Sequence, residues 1–396
     1  MLASLSLIFL FGPAAAAICR RLRMPPIVGM LAVGALFGPY GLNRIAPSML
    51  GVSAELRQMA LIVILIKAGL SLRPAELRQV GRPALLLSFL PALCETAAVM
   101  LIGPCLFPVT RLEAALMGSV LAAVSPAVVV PRMVRMMEKG IGRRRGIPQL
   151  ILAGASLDDV FVIVLFGSLL GAVQGTGAAV GAFAGIPVSI LLGALAGTVT
   201  GVLLSAGLEW RHRRGLTVRN SVKTILLLGA AFLLVSLEEV LPVPFSGMLA
   251  VMAMACALQL RSPAPVARRL SEKFGKLWIA AELTLFVLVG AAVDLRYTLT
   301  AGAGALLLIA GALLFRSAGV LLSLIGSGFS TRERLFCVIA YLPKATVQAA
   351  IGGVPLAVGL SCGQLVLSVA VLSIVVTAPL GAWGIDAAGL PLVGRD

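Results

Sequence analysis

The chain has little of what catalytic and metal-binding sites are built from. Its single histidine, His212, sits in the basic segment WRHRRG and reads as a solvated loop residue. Its six cysteines (Cys19, Cys94, Cys105, Cys256, Cys337 and Cys362) are scattered and form no CxxC pair, so they read as small apolar core residues. These absences argue against a transition-metal site. No nucleophile–base cluster is visible, and an enzyme is the least expected class; no cofactor is expected. Charge is also scarce. Only 12% of residues are Asp, Glu, Lys or Arg, against about a quarter in a soluble domain.

What the sequence has in abundance is apolar length. Hydrophobic residues make up 60% of the 396, which points to one polytopic membrane unit embedded in lipid rather than two or three soluble domains. Windows of about 20 apolar residues predict thirteen transmembrane helices, near 2–19, 25–40, 55–72, 83–106, 111–131, 148–172, 180–207, 220–237, 245–260, 273–293, 298–326, 333–353 and 362–385. The second and ninth are short and rich in Gly and Pro. The N-terminal stretch MLASLSLIFLFGPAAAAICRRLR lacks the basic leader of a signal peptide and reads as the first helix. Glycine-rich sequence such as GALAGTVTGVLLSAG suits close helix packing.

The net charge of +16 does not signal a nucleic-acid partner, because the basic residues follow the predicted topology. Of the 32 Lys and Arg, twenty-five fall in loops on one side and four (Arg44, Arg57, Arg111 and Arg296) on the other. The bias predicts an N-terminus outside and a C-terminus in the cytoplasm. Three basic residues, Lys67, Arg316 and Lys344, lie within apolar spans. Lys67 reads as snorkelling to an interface. It and Glu282 carry no assigned role.

If the seventh helix is a linker, helices 1–6 and 8–13 form two six-helix units of opposite orientation, a common transporter plan. The fifth span holds SPAVVVP at 125–131 and its repeat partner, the twelfth, holds YLPKATVQ at 341–348. Each carries a proline near mid-membrane, Pro126 and Pro343. Proline removes a backbone donor and clashes with the preceding turn, so the pair predicts two broken helices that meet and offer backbone groups to a central site. The plainer alternative is a simple kink in each. Glu95 in the fourth span and Arg316 in its partner, the eleventh, predict a buried ion pair; the alternative is that each snorkels. Lys344, beside the second break, is positioned to neutralise helix C-terminal dipoles.

The most informative residues are Asp158 and Asp159, adjacent in GIPQLILAGASLDDVFVIVLFGSLLGAV. One charge at that depth costs roughly 2.5–3.5 kcal/mol, and two repel each other, so a cation or a proton must compensate them. Deprotonated, the pair offers hard oxygen of the kind that suits Na+ or Li+; protonated, it releases the ion. Competition for one place is enough to give exchange. Ser125, Ser156 and Thr346, with carbonyls of the breaks, are candidates to complete the shell.

In order, MGSVLAAVSPAVVVPRM, GIPQLILAGASLDDVFVIVLF, LFVLVGAAVDL and YLPKATVQAAIGG resemble the monovalent cation/proton antiporter superfamily, and within it the NHA-type sodium/proton exchangers. The resemblance covers nearly the whole chain. It implies crossed broken helices in an ion-translocating core (about 55–172 and 298–385, with helix 10 near 273–293) and a dimerisation domain (about 1–40 and 180–260) that forms a homodimer. It matches Asp158 and Asp159 to the family's ion site, with Asp159 the principal ligand and proton carrier. It also pairs Glu95 with Arg316. Electrogenic relatives carry lysine where this chain has Arg316, so electroneutral exchange is an expectation here. A compact bacterial member of the inner (plasma) membrane is expected. Two other classes compete. A cation- or proton-coupled symporter of an organic anion would need donors near the breaks beyond Thr346 and Gln348. A channel would lack the symmetric breaks, and a sensor would carry an attached soluble domain.

Overall fold

The computed structural model describes residues 1–22, 24–71, 74–142, 145–175, 179–216, 218–240, 243 and 245–394; the side chains of 71, 74–80, 156, 160, 179–187, 190, 239, 295 and 299 are not among those described. Arg23, Arg73, Arg143, Arg144 and Arg395, which entered the charge count, therefore lie outside the described residues, as do the side chains of Arg78 and of the candidate ligand Ser156.

The described residues form an all-α fold. In order the helices are α1 (Leu2–Arg21), α2 (Pro26–Phe37), α3 (Pro47–Gly51), α4 (Ser53–Ser71), α5 (Pro74–Leu87), α6 (Leu90–Leu106), α7 (Arg111–Leu121), α8 (Pro126–Glu138) and α9 (Ile147–Val173). They continue with α10 (Ala179–Arg213), α11 (Asn220–Val240), α12 (Gly247–Arg261), α13 (Ala264–Ala291), α14 (Leu295–Ser323), α15 (Thr331–Ala340), α16 (Thr346–Ile351), α17 (Val354–Ala357) and α18 (Gly363–Val393). Each expected span contains helix, but thirteen crossings are not matched one for one. Nine described segments are long and apolar enough to cross a membrane, with Gly81–Leu106 and Arg111–Glu138 each counted whole. Pro26–Phe37, Gly247–Arg261 and Thr346–Ala357 are apolar but shorter. α4 is not among the nine, and it carries Glu55, Arg57 and Lys67.

Two compact units divide the chain. One holds Met1–Ala54, Pro74–Val162 and Leu285–Asp396; the other holds Glu55–Arg73 and Ile163–Thr284. In the second, α10 packs on α12 through Gly193, Gly197 and Gly201, spaced four apart on one helical face. A Cβ at these positions would meet the backbone carbonyls of Ser246, Ala250 and Met254, so only glycine permits the approach. Leu191, Leu195, Val199 and Leu203, also four apart on α10, are exposed. An apolar face left uncovered is what lipid as solvent allows.

The first unit contains both breaks. α7 opens on a capping box in which the Glu113 backbone N–H donates to Thr110 Oγ1 at 3.2 Å and the Thr110 N–H donates to Glu113 Oε2 at 2.8 Å. α15 opens on the same device, with the Glu333 N–H on Ser330 Oγ at 3.3 Å and the Ser330 N–H on Glu333 Oε2 at 2.7 Å. Each box satisfies two donors that a helix start leaves unpaired. Both helices then stop early, α7 at Leu121 and α15 at Ala340, and helix resumes at Pro126 and Thr346. Pro126 takes the first helical position of α8, where its missing N–H costs nothing. The residues of α7 from Ala114 to Leu121 are all buried, and α18 is buried along much of its length.

Candidate ion-binding site

The two non-helical stretches, 122–125 and 341–345, touch directly. The Ser125 N–H donates to Pro343 O at 2.8 Å. Helix ends leave carbonyls and amides unpaired, and inside an apolar body each needs a partner. Arg316, on α14, supplies two: its Nε donates to Tyr341 O at 2.7 Å and its Nη1 donates to Ala122 O. Gln348, on α16, supplies more. Its Nε2 donates to Leu121 O at 3.1 Å and Ala123 O at 2.7 Å, while its Oε1 accepts from the Ala345 N–H at 2.8 Å. The Lys344 N–H donates to Thr377 Oγ1 on α18 at 2.9 Å.

Five charged side chains converge here. Glu95 Oε2, from α6, receives Arg316 Nη1 at 2.8 Å and Lys344 Nζ at 2.6 Å. Asp158 Oδ2, from α9, accepts the Val124 N–H at 2.7 Å and lies 3.4 Å from Arg316 Nη2. Glu95, Asp158, Arg316 and Lys344 are all buried, and such groups are sustained only when paired and hydrogen-bonded. Lys344, which the sequence set against helix dipoles, instead has its ammonium on Glu95; Arg316 and Gln348 meet the helix-end carbonyls. Asp159 follows Asp158 by about 100° around the helix. It is partly exposed and makes no described ion pair. With all five ionised, three acids face two bases, one negative charge in excess.

Around this cluster several buried oxygens lack a hydrogen-bond partner: Asp158 Oδ1, Asp159 Oδ1, Ser125 Oγ, Thr346 Oγ1 and Tyr341 Oη. Ser125 precedes α8 and Thr346 opens α16, so both hydroxyls sit at the resumption of a broken helix. Sequence reasoning gave Gln348 no structural role and passed over Tyr341. The Gln348 amide oxygen caps its own helix through the Ala345 N–H, but alanine has no side-chain acceptor to complete a capping box, so residues 345–348 carry no local signature of this role.

A family model described as the transmembrane sodium/hydrogen exchanger matches residues 6–386. The chain belongs to the sodium/hydrogen exchanger family. It is an integral membrane protein of that family, in agreement with the resemblance to cation/proton antiporters and with a transporter rather than an enzyme. Among curated exchangers, it is 33% identical over 370 residues to mouse sodium/hydrogen exchanger 9B2, covering 91% of this chain and 66% of that protein. It is 31% identical over 376 residues to human sodium/hydrogen exchanger 9B1, covering 91% of this chain and 70% of that one. The chain thus spans about two thirds of the length of these curated relatives. Among solved structures, the sodium proton antiporter MjNhaP1 from Methanocaldococcus jannaschii at pH 8 superposes with a TM-score of 0.82, at 22% identity, covering 99% of this chain and 98% of that one. This chain thus shares the helical fold of MjNhaP1 along nearly its full length.

Proposed function

We propose that this chain exchanges Na+ or Li+ for H+ across the membrane by alternating access at Asp158 and Asp159. The observation that carries the reading is the set of unpartnered buried oxygens on Asp158, Asp159, Ser125 and Thr346. Two anionic and two neutral hard oxygens suit a small alkali cation that has shed much of its water. A proton on the carboxylates is the competing occupant. Asp159 is the principal ligand and proton carrier, because Asp158 is already held by Val124 and Arg316.

The charge balance supports electroneutral exchange. One Na+ or one proton cancels the single excess negative charge among Glu95, Asp158, Asp159, Arg316 and Lys344. Either loaded form is then neutral and can change sides, whereas the empty form carries a bare buried charge and is held back. The donors near the breaks, Gln348 and Arg316, are spent on backbone carbonyls and carboxylates. That leaves little to bind an organic anion. We further infer a homodimer in a bacterial inner membrane, with the N-terminus outside and the basic loops in the cytoplasm. The ion-carrying part moves against a dimer-forming part.

Purified protein in proteoliposomes with a pH-reporting dye tests the reading. Na+ or Li+ added to one side moves protons in the wild type, and Asp159→Asn abolishes the signal. An undiminished signal in that variant refutes the site. Clamping the membrane voltage leaves the exchange rate unchanged if exchange is one-for-one.

A further inference from the structure

Tyr341 is buried at the end of α15, where its carbonyl holds Arg316 and its ring lies 5.5 Å from the guanidinium carbon. Its hydroxyl has no hydrogen-bond partner. The hydroxyl rests on Gly154 of α9; a Cβ there would overlap it and would also come within 3.4 Å of the phenol Cζ. Gly154 lies four residues before Asp158, so the two share one face of α9, a turn apart. Around the ring stands an apolar cluster that includes Met133, Ile147, Leu150, Ile151 and Phe336.

A buried hydroxyl without a partner is destabilising relative to the hydrogen that phenylalanine would present. Phenylalanine would fit the same space without that loss. A partner in another loading state offsets it, and a cation held at Asp158 and Asp159, one turn along α9 from Gly154, is the candidate partner. We propose that the Tyr341 hydroxyl is a specificity-determining ligand. It lends a neutral oxygen to the dehydrated alkali cation between the carboxylate pair and the apolar cluster. This rests on the exchanger reading given above and assigns a residue of that path.

The test is Tyr341→Phe in the full chain, in the proteoliposome assay and in thermal melting of the detergent-solubilised protein with and without Na+. The KM for Na+ rises about five- to tenfold, the loss of one good oxygen contact, while turnover stays within about twofold. The melting midpoint without Na+ is unchanged or higher, and the rise that Na+ produces shrinks. A KM that is unchanged or lower overturns the proposal. Gly154→Ala lowers the melting midpoint more when Tyr341 is present than in the Tyr341→Phe background, where the Leu87 Cβ at 3.1 Å still crowds the added methyl; an equal loss in both overturns the hydroxyl's placement. Wild-type protein that moves no protons with any alkali cation refutes the exchanger reading and this assignment together. A responsive wild type with an indistinguishable Tyr341→Phe refutes this assignment alone.

Discussion

Glu95 and the Asp158–Asp159 pair are acids at one crossing of helices, yet they are treated in opposite ways. One oxygen of Glu95 holds two cations, the Arg316 guanidinium and the Lys344 ammonium. Asp158 commits one oxygen and keeps the other unpartnered, and Asp159 also has an unpartnered buried oxygen. Burial of an acid in an apolar helix therefore does not by itself mark an ion site. A saturated carboxylate is a fastener, and an unsaturated one is a place to bind.

Substitutions can break that contrast. The largest effect is expected at Asp159→Asn, which removes exchange entirely while the helical circular dichroism and melting midpoint stay near wild type. Glu95→Gln comes next. It leaves Arg316 and Lys344 without their shared anion, a loss of about 3–5 kcal/mol typical of breaking a buried pair, read as a fall in the melting midpoint. Adding Lys344→Gln to it recovers part of the fall, since the ammonium stranded by the loss of Glu95 is removed while Arg316 keeps Asp158 Oδ2 at 3.4 Å. If Glu95→Gln instead melts like the wild type and merely loses exchange, Glu95 belongs with the aspartates. Ser125→Ala and Thr346→Val are milder. Each raises the KM for Na+ by a few-fold, about 1 kcal/mol, without lowering the melting midpoint, because the hydroxyl removed had no partner to lose. The smallest effect falls at Arg268, whose pair with Glu272 one turn away is exposed. Arg268→Ala shifts stability by ~0.3 kcal/mol and leaves transport kinetics unchanged.

Much of this was legible in the sequence for physical reasons. A proline inside an apolar run weakens it without always breaking it: α1, α6 and α18 run on through Pro13, Pro104 and Pro379, whereas Pro126 and Pro343 stand beside the ends of α7 and α15. A charge inside such a run demands a partner, so Glu95, Arg316, Lys344 and the aspartates stood out. The partners themselves were harder to read. Lys344 and Glu95 are 249 residues apart, and nothing local to Lys344 distinguishes a carboxylate partner from a row of helix-end carbonyls. Gln348 reaches back 225 residues to Ala123 O, a contact that exists only once the breaks cross. The Thr110–Glu113 and Ser330–Glu333 boxes do carry a local signature, three residues apart, and they mark corresponding starts in the two halves. Thirteen spans are not matched one for one where helices are short or charged, as in α2, α12 and α4, because twenty apolar residues is a rule for uninterrupted crossings.

The bond from the Ser125 amide to the Pro343 carbonyl has a mechanical consequence. Each severed helix borrows from the other a backbone partner that its own chain cannot supply, so neither can straighten without orphaning a group in its neighbour. Arg316 and Gln348 tie the same knot from two further directions. On the proposed exchange, a stroke that carries the aspartates from one face to the other would lift both severed helices together, like a single keystone rather than two sliding bolts.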